Sequence, residues 1–274
     1  MINRKNMLEQ RFEWFKPPLN SKSNGVLGRL IYKLRMFLDI QAGSIWRDLS
    51  KVLPDVRGNV LDVGCGAQIY RELFCANKAN YIGLDTIQAK VNFGYESPDT
   101  RYYSGTIFPV DTGSIDFILC TEVLEHIQEP SWFIKEMARC LKENGTLLLT
   151  VPFAARWHFI PYDYFRYTPS GLFNLLNEAG FSDVKVYARG NSVTVAFYKM
   201  MAIMIPFLVS GGQRTIYSKM VIRTIGVLFL PIICLFAFVA NISVNNSDSA
   251  EDCIGYTVIA NLQNKSKENV ENTQ

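Results

Sequence analysis

With 274 residues, 49% of them hydrophobic, the chain can bury a substantial core, and one α/β domain with an insertion is the economical architecture. Its net charge of +3 hides an asymmetry: through Arg57 there are eleven Lys/Arg against five Asp/Glu, a local +6, which leaves −3 for the remainder. A basic arm can meet anionic lipid or nucleic acid, or simply be a solvated helix face; the lack of an aromatic-interleaved basic repeat argues against nucleic acid. The six cysteines form no Cys-x-x-Cys pair and fall within apparent strands and helices, as small buried thiols of a reducing compartment do. Two histidines, His126 and His158, are too few for a His-rich metal centre, so no metal is expected. The N-terminal stretch lacks an apolar run of signal-peptide length, which points to cytosolic synthesis without export.

Residues up to about 24 are polar and turn-rich. From Val26 to about Leu53 the spacing of Leu27, Leu30, Ile31, Leu34, Phe37 and Leu38 predicts a helix. It can cap the first strand, or lie on a membrane surface with Arg29, Lys33 and Arg35. Val60 to Val63 reads as a short buried strand that stops at Gly64, Cys65 and Gly66, with a helix expected from about Ile69. Such a bend leaves backbone N–H groups open to a ligand. A second short strand, Tyr81 to Leu84, ends in Asp85, a carboxylate placed to accept both hydroxyls of a ribose. A third strand lies near Arg101 to Ser104, and a fourth, Ile115 to Leu119, follows the turn Asp111-Thr112-Gly113-Ser114.

Ser131 to Leu141 is predicted helical. Asn144-Gly145 then turns the chain into Thr146 to Val151, a run suited to a fully buried strand. Thr168 to Ala179 is another amphipathic helix, Val184 to Tyr187 a sixth strand and Gly255 to Ala260 a seventh. Strands alternating with helices argue for a parallel sheet. Some sixty residues between strands six and seven hold two apolar runs, Val193 to Val209 and Ile225 to Ala240, each broken by a proline. Strand seven must rejoin the sheet on the side where strand six left it, so the insertion crosses a membrane twice or not at all. Two crossings would put Arg214, Lys219 and Arg223 outside, against the positive-inside tendency. A monotopic hairpin in one leaflet is therefore preferred over helices buried against the domain or in a dimer interface.

Two nucleotide chemistries use a strand–glycine–helix bend followed by an acidic strand tip. A dinucleotide fingerprint needs a third glycine where this chain has Ile69, which disfavours a nicotinamide-dependent oxidoreductase. Asp62-Val63-Gly64-Cys65-Gly66, with the strand ending in Asp85, resembles the cofactor site of class I S-adenosylmethionine-dependent methyltransferases. Phe108 to Asp116 leading into Cys120-Thr121-Glu122-Val123-Leu124-Glu125-His126 resembles that class's fourth-strand block, and Leu141 to Leu149 the turn into its fifth strand. The segment His158 to Thr168, with Gly171-Leu172 and Ala179-Gly180-Phe181, is similar to a bacterial type-11-like subgroup associated with surface-glycan and lipid-linked sugar pathways. The resemblance covers roughly residues 57 to 190 and resumes at strand seven.

What the resemblance implies is a Rossmann-like α/β fold, a seven-stranded sheet with helices on both faces, to which this chain's own residues add an apolar helical insertion between strands six and seven, where the class usually has a near hairpin. The expected divisions are a basic arm and helical cap (1–56), a cofactor-binding core (57–192), the hairpin insertion (193–250), a closing strand (251–264) and a polar tail (265–274). S-adenosylmethionine would be held by Asp62, Gly64, Cys65, Gly66, Asp85, Ser104, Thr121 and Glu122. The chain departs from the class at Gln68, where a third glycine is common, and at Ser104, near where an aspartate often meets the adenine amine.

Methyl transfer from a sulfonium is an in-line displacement, so positioning supplies much of the rate, and an alcohol acceptor must also lose a proton. His158, on the loop after strand five, is the first candidate base, with Asp163 orienting it; the bland alternative is a loop histidine packed beside Trp157 and Tyr162. Arg166 is assigned to an anionic or sugar-hydroxyl substrate. Tyr162 and Tyr164, with Phe165 and Tyr167, form either a sugar-stacking lid or aromatic packing. Glu125 and His126 are expected to cap the helix after strand four and shape the pocket. The resulting expectation is O-methylation of a sugar or lipid-linked glycan at the cytoplasmic membrane face; a non-catalytic cofactor-binding or membrane scaffold with the same fold is the alternative.

Overall fold

The computed structural model describes residues 25–94, 96–97, 99–209, 216–244 and 251–263. The expected tail from 265 onward and the basic arm before Gly25 lie outside these residues, as does much of the basic turn of the insertion. The sheet strands are β1 (Gly58–Val63), β2 (Ala79–Thr86), β3 (Thr100–Tyr103), β4 (Ile115–Thr121), β5 (Leu141–Pro152), β6 (Phe181–Arg189) and β7 (Gly255–Leu262). Their spatial order is β3-β2-β1-β4-β5-β7-β6. The pairs β1/β2, β1/β4, β2/β3 and β4/β5 are all parallel. Ile254 N–H donates to Arg189 O and Gln263 N–H to Gly180 O, so β6 and β7 run antiparallel. The seven-stranded sheet expected from the sequence is present, and it is mixed rather than wholly parallel.

Parallel order places the C-terminal ends of β1 to β5 along one edge, where ligands of open α/β sheets bind. Near-continuous apolar runs make this possible: Leu61, Ile118, Leu119, Leu147, Leu148 and Leu149 are fully buried. The Asn144-Gly145 turn is absorbed into β5 as a bulge, since Ile115 faces Leu141 while Phe117 faces Thr146. Asn144 takes a left-handed φ of 61° there.

The connection after β1 departs from expectation. Fifteen residues, 64–78, separate β1 from β2, and they form turns and a single 3-10 turn, Arg71–Leu73, instead of an α-helix from Ile69. Aromatic anchors take the place of a helix face: Phe74 packs against Tyr81 at 5.7 Å and against Phe117 at 6.4 Å. The helix expected over Val26 to Leu53 is two helices, α1 (Val26–Leu38) and α2 (Ile40–Val52). Asp39 divides them and caps α2, its side chain accepting from Ala42 N–H. The helices α3 (Ile87–Phe93), α4 (Pro130–Cys140) and α5 (Pro169–Glu178) complete the alternation with strands.

Among the described residues the chain forms two compact units, 56–186 with 258–263 in one, and 25–55 with 187–257 in the other. The N-terminal helices and the insertion, expected as separate parts, thus belong together. The second unit holds α1, α2, α6 (Ser192–Val209) and α7 (Ile216–Ser243). Its core gathers Ile40, Met201, Ile233, Ala237, Ala240 and Ile254. Gly226 lets α6 and α7 touch, since a Cβ there would stand 2.6 Å from Phe207 O. Helix α7 continues through Pro231, and its Thr224–Ser243 stretch is long and apolar enough to cross a membrane. In α1 the apolar row is turned outward: Val26, Leu27, Leu30, Ile31 and Leu34 are all exposed.

Candidate active site

Two glycines and an aspartate shape the junction between the tips of β1 and β2. Gly64 N–H and Cys65 N–H both donate to Leu84 O, and Gly66 N–H donates to Asp85 Oδ2 at 2.9 Å. Asp85 Oδ1 accepts from Thr86 N–H at 2.7 Å. Each carboxylate oxygen keeps a lone pair, so this clasp remains able to accept ribose hydroxyls. Burial raises the Asp85 pKa, and the two backbone N–H donors work against that rise. Gly64, with φ 74°, is needed for a reason the sequence did not disclose: a Cβ there would stand 2.4 Å from Val123 Cγ2. Gln68 takes a left-handed φ of 54° where glycine is common in the class, and its amide donates to Thr100 Oγ1 at 2.8 Å.

Asp62 lies under this bend, almost fully buried, and accepts a hydrogen bond of 2.5 Å from the Tyr81 hydroxyl. Burial pushes its carboxyl up to about 7, while the Tyr81 bond pulls the other way. Ser104 is exposed just past β3 and lines a cavity of about 760 Å3 with Thr86, Ile87, Tyr103, His126 and Trp132. Thr121 ends β4 opposite Thr150, and Glu122 N–H donates to Thr150 O. The predicted cofactor residues are thus ranged along the C-terminal ends of β1 to β4.

The loop after β5 docks on the turn after β4. Tyr164 N–H donates to Glu125 O, Tyr167 Oη to Leu124 O, and His126 Nδ1 to Tyr162 O at 2.7 Å. Within that loop Asp163 is the hub. Arg166 grips it with two bonds of 2.6 and 2.7 Å, His158 N–H donates to Oδ2, and His158 Nδ1 lies 3.1 Å from the same oxygen. Burial alone would raise the Asp163 pKa, yet the bonds from Arg166 and His158 hold it well below the usual carboxylate range. Burial opposes protonation of His158, but the Asp163 contact outweighs it and the net shift is upward.

Several assignments take a different form in this geometry. Arg166 spends its terminal nitrogens on Asp163, Phe165 O and Arg156 O, which places it as a brace for Asp163. Tyr162, Tyr164 and Phe165 are 39%, 40% and 36% exposed, whereas Tyr167 is buried and packs instead of forming a lid. Glu125 and His126 do not cap the following helix: α4 begins at Pro130 with Glu129 as its N-cap, and they occupy a 3-10 turn, Leu124–His126. Glu125 is fully buried, and neither carboxylate oxygen has a hydrogen-bond partner. Burial, with Glu122 nearby, pushes its carboxyl well above the usual range. An unmet buried polar group costs about 1–3 kcal/mol. Its position, next to a histidine in a loop-like stretch, carried no sequence signal of such burial.

A family model described as a methyltransferase domain matches residues 37–186, more than half of the chain. The chain belongs to this methyltransferase family. Residues 37–186 make up a methyltransferase domain of the class that takes its methyl group from S-adenosylmethionine. Among curated relatives, a ubiquinone biosynthesis O-methyltransferase of Coxiella burnetii is 28% identical over 148 residues, 50% of this chain and 59% of that one. Another, from Rickettsia conorii, is 27% identical over 128 residues, 44% and 42% of the two chains. The chain spans about half the length of the curated relatives it matches. It is also similar to the solved phosphoethanolamine N-methyltransferase 2 of Haemonchus contortus (TM-score 0.49, 12% identity, 83% of this chain and 57% of that one). A sarcosine dimethylglycine methyltransferase from Galdieria sulphuraria gives a TM-score of 0.48 at 18% identity, covering 82% of this chain and 85% of that one.

Two outcomes test this methyltransferase's donor site. Asp85→Ala is expected to abolish S-adenosylmethionine binding by calorimetry while the far-UV spectrum stays unchanged; retained affinity would move the site elsewhere. Asp62 has a folded pKa raised to about 7 against 3.8 for an ordinary aspartate, so its protonated form favours folding below 3.8 and that contribution is lost as pH rises through about 7. If its carboxylate meets the donor's ammonium, wild-type affinity rises with pH through about 7, and Asp62→Asn flattens that rise.

Proposed function

We propose that this methyltransferase transfers its methyl group to a hydroxyl of a lipid-borne acceptor, a hydroxylated ring or a sugar, at the cytoplasmic face of a membrane. The observation that carries the reading is the Asp163-centred cluster of the post-β5 loop, seated on the turn after β4 beside the expected donor strands. An oxygen acceptor needs a proton-accepting group at the transfer site, and His158, oriented by Asp163, supplies an imidazole there. The acceptor oxygen gives up its proton, its electron pair attacks the methyl carbon in line with the departing sulfur, and the carbon–sulfur pair returns to sulfur as S-adenosylhomocysteine leaves. The names of the ubiquinone biosynthesis O-methyltransferases favour a ring hydroxyl. The exposed Tyr162, Tyr164 and Phe165 suit stacking against either a ring or a sugar face.

Membrane placement rests on the second unit. The outward apolar row of α1 has Arg29 and Lys33 exposed beside it, and α1 contains no acidic residue. Helix α7 exposes Leu228, Leu235, Phe238 and Ile242. Apolar side chains with flanking cations fit an interfacial, monotopic contact with anionic headgroups.

His158→Ala is expected to leave donor affinity unchanged and lower kcat by about 10²–10⁴-fold. The readout is a product one methylene heavier, sought by mass spectrometry in lipid and polysaccharide extracts from cells with and without the protein. No mass difference in either extract would contradict the reading. Full-length protein should co-sediment with vesicles containing anionic lipid, and Leu228→Asn with Phe238→Asn should reduce the bound fraction several-fold. Equal sedimentation of wild type and double variant would remove the membrane placement.

A further inference from the structure

We infer that Glu125, His126 and His158 form a binding site for one divalent first-row transition-metal cation that receives the acceptor oxygen. Two histidines alone are too few for a metal centre, but the fold adds a buried carboxyl group to them. One ligand atom from each of these residues lies within 4.8 Å of the other two. Two nitrogens and one carboxylate oxygen are a donor set for zinc, iron, cobalt or manganese, with positions left open for water or substrate.

The decisive geometry lies between Glu125 and His126. His126 Nδ1 is 2.7 Å from Tyr162 O, and a carbonyl can only accept, so the proton of the neutral ring sits on Nδ1. That makes Nε2 a lone-pair donor, and it faces Glu125 Oε1 at 3.7 Å. The His126 Nε2 lone pair and a fully buried carboxyl group without a hydrogen-bond partner thus face each other across a gap too wide for a hydrogen bond, where a cation replacing the carboxyl proton would meet two electron-pair donors. The gap is slightly wider than the edge of a tetrahedral site, about 3.3–3.6 Å for metal–ligand bonds of about 2.0–2.2 Å, so a small approach of the two groups would close it on a cation. The His158 ring stands 5.1 Å from that of His126, nearly perpendicular to it.

The outer partners fit the same role. Ligating histidines ordinarily donate their other ring N–H to a carbonyl or carboxylate. Here His126 donates to Tyr162 O, and His158 Nδ1 is met by Arg156 O at 3.0 Å and Asp163 Oδ2 at 3.1 Å. This inference rests on the hydroxyl-acceptor reading and refines how the proton departs. The cation binds the acceptor oxygen and lowers its pKa, the proton passes to solvent, and the oxygen attacks the methyl carbon with sulfur leaving as before. His158 then acts as a ligand rather than as a direct base.

The test uses full-length protein stripped with a chelator and titrated with Co2+, then with Zn2+. The expected result is one Co2+ per chain with visible ligand-field bands that Zn2+ displaces. Glu125→Gln and His158→Ala should each weaken binding at least tenfold, and Asp163→Asn, acting through His158, by about 10–100-fold. Melting curves and S-adenosylmethionine titrations of each variant report folding independently of the metal. No bands at stoichiometric cobalt, or equal affinity in wild type, E125Q and H158A, would overturn the site. Turnover by stripped protein that is unchanged on adding metal would overturn the role in transfer. A bound cation in a protein that methylates no hydroxyl would instead sink the acceptor reading and leave the site standing.

Discussion

The Asp85 carboxylate, bonded to the N–H of Gly66 on one side and of Thr86 on the other, is the constraint on which the site depends. It ties the bend after β1 to the tip of β2, so that two segments far apart in chemistry present one polar edge. It acts with the Gly64 and Cys65 bonds to Leu84 O, the Gln68–Thr100 bond and the Phe74 contacts to hold the chain after β1. The expected helix is absent there, and the left-handed turns at Gly64, Gly66 and Gln68 need partners outside themselves. The bend is therefore not a helix N-terminus offering a dipole to an anion. It is a clasp made of turns, and that suits a donor recognised through hydroxyls and a cationic group.

Four carboxylates along this edge show how environment assigns chemistry to one functional group. Asp85 is held by backbone donors, Asp62 by a single Tyr81 hydroxyl, and Asp163 by Arg166 and His158. Burial alone raises a carboxyl pKa; the strength of the opposing bonds decides where each one settles. Asp163 is strongly compensated and stays an anion, Asp62 is poised near neutrality, and at Glu125 burial outweighs the opposing pull of its own backbone N–H and of Arg166.

Much of this was legible beforehand. Short apolar runs stopping at Gly64, Asp85 and Leu119 marked strands of a buried sheet, and the ordered motifs fixed their sequence and the donor. The loop after β5 was expected over the strand tips, and it docks on the turn that follows β4. The missing helix after β1 was not legible, because Tyr70, Leu73 and Phe74 have the spacing of a helix face. Only fifteen residues separate the strands there, and Gln68 turns inward to Thr100. Nor could spacing show that Arg166 would close on Asp163, or that Glu125 would be buried beside His126. Those pairings depend on a long loop folding back across some forty residues onto Leu124–His126. The grouping of α1 and α2 with the insertion was equally hidden, since 25–55 and 187–257 meet only in three dimensions.

The most direct test of the account is a titration of S-adenosylmethionine into isotopically labelled full-length protein, followed amide by amide. The expected result is saturable shifts of the Gly64, Cys65, Gly66 and Thr86 amides, with smaller ones at Ser104 and Glu122. Shifts confined to other parts of the chain, or none at saturating donor, would contradict a site built on the Asp85 clasp.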